Sequence, residues 1–255
     1  MTNSEVKALI LLISGFLIGI SFIINSLLNY RLLQKIKNTP TSKVEAVAMG
    51  LSEVYGESKM FNQVLSPIAK QKCVYWEINA QYYKSGKYGG WKEFYTSKST
   101  DKFYIKDETG KILIDPTGSQ IEIPEDKVYK GYISGKGVFG VSHKKIESSV
   151  LEYIETLKEK DKKSFMDHQN LEVMIYEYFI AENEMIYVLG TATPYESVEN
   201  SIIIKKEKPD NILYIMDKHE TEITQEMGSG VKTSLVIGLI ISTICLFLLL
   251  TMFKI

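Results

Sequence analysis

The chain has 255 residues, 30 Lys and Arg against 31 Asp and Glu, a formal net charge of -1, and 45% hydrophobic residues. That balance excludes a global basic field for recruiting nucleic acid, so no nucleic-acid partner is expected; the length suffices for one domain, or two small subdomains, with a real core. The two cysteines, Cys73 and Cys245, cannot pair, because the second lies in a terminal apolar run and the first opens a strand.

A short tail at 1–7 leads into Ala8 to Leu28, an uncharged apolar run of about 21 residues, long enough to cross a bilayer. The run is too long for a signal peptide and flows into LNYRLLQKIKN without a small-residue cleavage site, so it reads as a retained anchor, a transmembrane helix over 8–33 with a basic end. Arg31, Lys35, Lys37 and Lys43 follow it, whereas only Lys7, offset by Glu5, precedes it. The positive-inside rule then places the central region in the cytoplasm and both short ends outside. Lys232 agrees with this orientation and Lys254 opposes it.

Residues 39–230 change to alternation. Val44 to Tyr55 reads as a strand interrupted at Gly50 by a bulge. From Val74 to Tyr82, Val74, Trp76, Ile78, Ala80 and Tyr82 share one face, the period of a strand with one wet side. Glycines at 86, 89 and 90 mark a hairpin, and WKEFYTSK resumes an aromatic strand. Phe103 to Ile105 and Ile112 to Ile114 flank the turn Asp107 to Gly110, and Asp115 with Pro116 stops that second strand. Residues 143–158 carry Ile146, Val150, Tyr153, Ile154 and Leu157 at helical spacing, with Ser142 as cap; KEKDKK then reads as an exposed linker. Strands follow at Glu172 to Ile180, Met185 to Thr193, Ser201 to Lys205 and Ile212 to Met216.

Ser234 to Phe253 is a second uncharged run, about 20 residues or about 30 Å as a helix, matching the hydrocarbon core. Only the tail 254–255 follows it, so the working part is expected in 39–230. Gly15 and Gly19 in the first run and Gly238 and Ser242 in the second have the spacing of close helix contacts. Measured from the domain ends of the apolar runs, the two pairs are out of step by roughly 8 Å, which favours self-association of hairpins no less than packing within one. The expected fold is a membrane-anchored α+β protein: two transmembrane helices flanking a mostly antiparallel β domain, either barrel-like or two small sheets, with one principal amphipathic helix.

The sequence offers little for catalysis. His143 at the helix start, His168 in a polar linker and His219 in a turn sit in no nucleophile-elbow or metalloprotease context. Cys73 is a thiol beside Lys70 and Lys72, but a cysteine opening an aromatic strand reads first as a small buried side chain. Asp107 and Asp115 lie either side of a hairpin and could approach one another, yet they are too few and wrongly spaced for an oxygen-ligand metal site. GKYGGW lacks the spacing of a phosphate loop. No catalytic residue, cofactor or metal is expected. The dense aromatics Tyr75, Trp76, Tyr82, Tyr83, Tyr88, Trp91 and Tyr95 read first as packing and second as a binding surface, for which the loop residues Lys84, Lys87, Tyr88 and Trp91 are the candidates.

In order along the chain, TPTSKVEAVAMGLSEVYG (39–56), Ser66-Pro67, CVYW from Cys73, FYIKDETGKILIDP (103–116) and EYFIAENEMIYVLGTA (177–192) resemble the GIDE-type domain of membrane-anchored RING ubiquitin ligases. These include the family of the mitochondrial ubiquitin ligase activator of NF-kappaB and its prokaryotic relatives. The resemblance covers most of 39–220, and the two flanking runs match the family's layout. It implies structural roles for Gly50, Gly56, Pro67, Cys73, Asp107, Gly110, Asp115, Pro116 and Gly190. In eukaryotic members a zinc-binding RING follows the second span. A RING holds each zinc with a full set of cysteine and histidine ligands, and this chain has 2 Cys and 3 His, none in a C-x-x-C pair. The ligase activity is therefore not expected here, while the membrane-side β module is.

Three functions fit these residues. The leading one is a non-enzymatic membrane-tethered interaction or sensor domain, with the bilayer and a protein as partners. The second is the substrate- or membrane-facing part of a ubiquitin-like ligase whose RING lies on another chain. The third is a hydrolase or thiol enzyme using Cys73.

Overall fold

The computed structural model describes residues 3–196, 201–217 and 220–253. The chain forms two compact units, one from its two ends and one from Thr41–Asp217.

The first unit is a helical pair. Helix α1 (Asn3–Asn38) contains the first apolar run and the helix over Glu220–Phe253 the second; both are long and apolar enough to cross a membrane. Within the β unit, a single 3-10 turn (Val44–Ala46) precedes β1 (Gly50–Met60), β2 (Val64–Leu65), β3 (Lys72–Lys84), β4 (Gly90–Lys98), β5 (Phe103–Lys106) and β6 (Lys111–Ile114). Then come β7 (Gln120–Glu122), β8 (Lys127–Tyr132), the helices α2 (Ser148–Thr156) and α3 (Glu159–Asp167), and β9 (Glu172–Ala181), β10 (Met185–Pro194), β11 (Ile202–Lys205) and β12 (Leu213–Met216). Helix α4 (Glu220–Phe253) closes the described chain.

The small residues of α1 and α4 meet each other. A Cβ placed on Gly19 would stand 2.8 Å from Ser242 N and 3.0 Å from Gly238 O, and one on Gly15 would stand 2.7 Å from Cys245 Sγ. Ser26 Oγ donates to Val231 O at 2.8 Å, meeting the hydroxyl's need for a partner away from water. This corrects the expected step between the two pairs. Both helices run past their apolar runs, so Gly19 lies about 28 Å from the end of α1 at Asn38 and Gly238 about 27 Å from the start of α4 at Glu220. The registers match inside one hairpin. Gly15→Cys is expected to form a disulfide with native Cys245 under mild oxidation of the full chain in membranes, protecting that thiol from maleimide without producing covalent dimers. A predominance of linked dimers would place the contact between chains instead.

The β unit contains one closed barrel and one open sheet, the two forms left open by the sequence. In the barrel, β1, β5, β6, β11 and β10 follow one another around a ring, and β10 pairs back to β1 from Gly50↔Ala192 to Glu57↔Met185. The far edge of β10 is shared: Thr191–Pro194 pair with β11, while Tyr187–Gly190 pair with β12, which carries β7 in parallel. Val54, Phe103, Ile105, Ile114, Ile186 and Val188 fill this barrel. The second sheet has the order β2-β3-β9-β8, with β4 also on β3, and it holds α2 and α3 through Ile78, Ala80, Val150, Ile154, Phe165 and Ile175.

Several sequence expectations change. Gly50 opens β1 at φ +104 rather than bulging a longer strand, because Val44–Ala46 form the 3-10 turn. The bulge is in β3, where Cys73 faces Ala181 and Tyr75 faces Ile180. It turns Val74 and Tyr75 into the barrel core, while Ile78 and Ala80 serve the second core, so Val74 leaves the face on which alternation placed it. Helix α2 starts only at Ser148, with no cap from Ser142, because 144–146 are extended: Tyr132 N donates to Lys144 O (2.9 Å) and Ile146 N to Tyr132 O (3.0 Å). KEKDKK is not a linker; it begins α3, whose anchor is the fully buried Phe165. The β unit ends at Asp217, short of the expected boundary at 230, since 220–230 are already helix.

Candidate interaction surface

The predicted loop is a β3–β4 hairpin closed by the pair Lys84↔Gly90. Gly86 (φ +118) and Gly90 (φ +140) supply backbone angles that other residues adopt only with strain. Tyr88 stands 83% exposed at its tip, with Lys87 Nζ 5.6 Å from the ring centre. Trp91 is half covered: Tyr83 meets it edge-on at 5.5 Å and Lys130 Nζ lies over it at 5.5 Å. Lys130 also pairs with Glu172 at 3.4 Å. Of the four candidates, Lys84, Lys87 and Tyr88 are therefore free to meet a partner, and Trp91 braces the hairpin against the sheet.

Strand register brings a second loop to the same end. Tyr82 pairs with Val173, and Val173 with Gly131, so the end of β3, the start of β9 and the end of β8 lie side by side. From β8 the chain enters a tight reversal over 134–145. Gly137 N donates to Val141 O (2.9 Å) and Gly140 N to Gly137 O (2.9 Å), with Gly140 at φ +74. Ser134 steadies its base, receiving Lys136 N (3.1 Å) and bonding Asn170 (2.7 Å). At the tip, Val138, Phe139 and Val141 are 66%, 94% and 60% exposed. Sequence reasoning passed over these residues; the available signal was an apolar triplet set among glycines, positions where polar turn residues are usual.

The remaining singled-out residues are occupied in structural work. Cys73 is fully buried; burial, then the charges of Glu177, Asp101 and Asp126, push its thiol up to about 12, which removes the thiolate that a nucleophile needs. Asp107 caps its turn. Partial burial raises its carboxyl, but hydrogen bonds from Thr109, Val44 and Gly110 outweigh that and hold it at about 2. Asp115 does not approach it: the two lie at opposite ends of β6, and Asp115 accepts from Thr117 N at 3.0 Å beside Pro116. Pro67 opens the turn whose next two amides, Ile68 N and Ala69 N, donate to the buried carboxylate of Glu177 at 2.8 and 3.0 Å, with Tyr129 Oη at 3.0 Å on the same oxygen as Ala69. A second buried carboxylate, Glu53, accepts from Tyr187 Oη at 2.7 Å and from Thr41 Oγ1.

His143 stacks on Tyr132 (4.4 Å between centroids) instead of starting a helix. His168 ends α3 against Tyr82 and Phe94. His219 lies outside the described residues. Among the described residues, no group of three His, Cys, Asp or Glu converges as a metal site. A groove of about 540 Å³ follows the outside of the β5–β6 hairpin, lined by Val44, Phe61, Tyr104, Leu113, Tyr195 and Ile202.

No family model, curated protein or solved structure matches this chain.

Proposed function

We propose that this protein is a membrane-tethered, non-catalytic interaction domain whose working surface is the loop end of the second sheet. The observation that carries the reading is the projection of two bare aromatic side chains, Tyr88 and Phe139, from adjacent loop regions at that end. Large apolar side chains held out on rigid turns have no role in the fold that presents them, and they are the chemistry of a contact. Two further features support it. Helices apolar enough to span a membrane flank the domain, and the cations after the first favour a cytoplasmic domain with both ends outside. The groups with reactive potential are spent inside the fold: Cys73 as an un-ionised thiol, Glu53 and Glu177 as hydrogen-bond acceptors, Asp107 as a turn cap. The GIDE-like motifs add weight to a membrane-side module and, in a chain with too few zinc ligands for a RING, none to ligase chemistry.

A photoreactive amino acid placed at 88 or 139 in the full chain, in its native membrane, is expected to give adducts with protein or lipid. The control is position 65, where Leu65 is 46% exposed on β2 at the opposite end of the sheet. Absence of adducts at 88 and 139, or equal labelling at 65, would reject the surface.

A further inference from the structure

We propose that the Val138–Val141 turn is a lipid wedge, entering the headgroup boundary of an anionic bilayer while the lysines beside it contact the lipid phosphates. The inference rests on the reading of this end as the working surface and assigns the class of its partner. Three observations point to a bilayer.

The first is the tip itself. Val138, Phe139 and Val141 present three apolar side chains with no polar group among them, and Gly140 between them adds no bulk. A loop tip normally carries Asn, Asp, Ser or Gly, because its backbone is wet. Here two of the turn's amides are paired internally, Gly137 N to Val141 O and Gly140 N to Gly137 O, so those two need no water as the tip approaches lipid. A Cβ on Gly137 would stand 2.8 Å from His143 Nε2, and that ring is stacked on Tyr132, so the base of the turn is packed while the tip is bare. This is the form of a preorganised insert, with little ordering entropy left to lose on binding.

The second is charge. Between Asp126 and Glu147 the chain carries Lys127, Lys130, Lys136, Lys144 and Lys145 and no acidic residue. Lys136, Lys144 and Lys145 are exposed and flank the turn on both sides in sequence, joined through the Lys136↔Ser142 bridge. The adjacent hairpin adds Lys84 and Lys87. An apolar tip flanked by exposed lysines matches an anionic lipid surface, where short acyl penetration and headgroup attraction act together. The protein's net charge of -1 makes this local excess a feature of the loop rather than of the whole chain.

The third is connectivity. The domain continues at both ends into helices long and apolar enough to span a bilayer, so a lipid contact by this surface is an intramolecular event rather than a bimolecular one. A weak wedge is then enough to set the domain's attitude on the membrane, which free in solution it would be too weak to do.

The test uses the full chain in nanodiscs with a single added tryptophan, either Phe139→Trp or Leu65→Trp, and lipids brominated along the acyl chain. Quenching beyond that of the parent, which contains Trp76 and Trp91, is expected for Phe139→Trp in discs containing phosphatidylserine and not for Leu65→Trp. Lys144→Glu with Lys145→Glu is expected to remove most of that excess quenching, as is pure phosphatidylcholine. Quenching at 139 no greater than at 65, or unchanged by both charge reversal and neutral lipid, would overturn the wedge. Protein adducts at 139 in the crosslinking experiment without any lipid quenching would reject the lipid assignment and leave the interaction surface standing.

Discussion

Glu177→Ala is expected to destabilise the β unit by about 4 kcal/mol, a fall in melting temperature of roughly 10 °C for a domain of this size. Its carboxylate has no exposure to solvent and receives Ile68 N, Ala69 N and Tyr129 Oη. Alanine leaves all of these donors without their acceptor, and each buried donor left unpaired costs about 1–3 kcal/mol. It also unpins the Ser66–Lys70 turn, in which Lys70 N donates to Ser66 O at 3.1 Å. Glu177→Gln separates the causes. It keeps one carbonyl oxygen for the two amides and presents an NH2 to the Tyr129 hydroxyl, which can rotate to accept, so a loss of about 1–2 kcal/mol is expected. Chemical unfolding of the full chain in detergent, followed by aromatic near-ultraviolet circular dichroism, measures both. A Glu177→Ala midpoint equal to that of the parent would mean that the turn finds other acceptors.

Glu177 also shows where sequence reading reached its limit. Its segment was read as one of two strands around AENE, and β9 bears that out. Nothing local says that Glu177 caps a turn more than a hundred residues earlier. The same divide runs through the fold. Hairpins were legible where both strands and their turn are adjacent, as at β3–β4 and β5–β6, since alternation and glycine or Asp-x-x-Gly turns are local signals. Pairings such as β1–β10, and the parallel β11–β6 and β12–β7, depend on strands far apart in sequence and so left barrel and open sheet equally open. β7 and β8 were missed because they are short or lysine-bearing; in β8, Val128 is 46% exposed, so apolar residues fall on both faces and the alternation is blurred. Residues 143–147 mimicked a helix by spacing alone. Ile146 does enter the second core, but from an extended segment bonded to Tyr132.

The surface was half legible. The aromatic hairpin stood out by composition, and the structure sorts its residues: Tyr75 is buried in the barrel core, Trp76, Tyr82 and Tyr95 pack on the second core, Tyr83 and Trp91 brace each other, and Tyr88 is bare. Phe139 was missed because one exposed phenylalanine in a sequence looks like any buried one. Its exposure follows from the bonds that close the turn beneath it, which pattern alone does not display.

The motif glycines make the sharpest demand on the barrel, and they are not equivalent. At Gly56 a Cβ would stand 2.5 Å from Lys106 O and 3.0 Å from Lys106 C, backbone atoms of the neighbouring β5 that cannot move without opening the ring. Gly56→Ala is therefore expected to cost about 3 kcal/mol or more. At Gly190, where the edge of β10 passes from β12 to β11, the obstacles are side chains, Ile204 Cγ2 and Leu213 Cδ1, both at 2.7 Å. Those can shift within a packed core, so about 2 kcal/mol is expected for Gly190→Ala. Gly50 meets nothing within 4 Å but has φ +104, so its alanine variant suffers only conformational strain, roughly 1–3 kcal/mol. Gly110 has Val44 Cγ1 at an ordinary 3.5 Å, and its substitution should fall within about 0.5 kcal/mol of the parent. The four variants, unfolded side by side in the full chain, thus test the barrel's closure by rank. A Gly110→Ala loss matching that of Gly56→Ala would show that the close passage of β5 over β1 is not what the barrel requires of these positions.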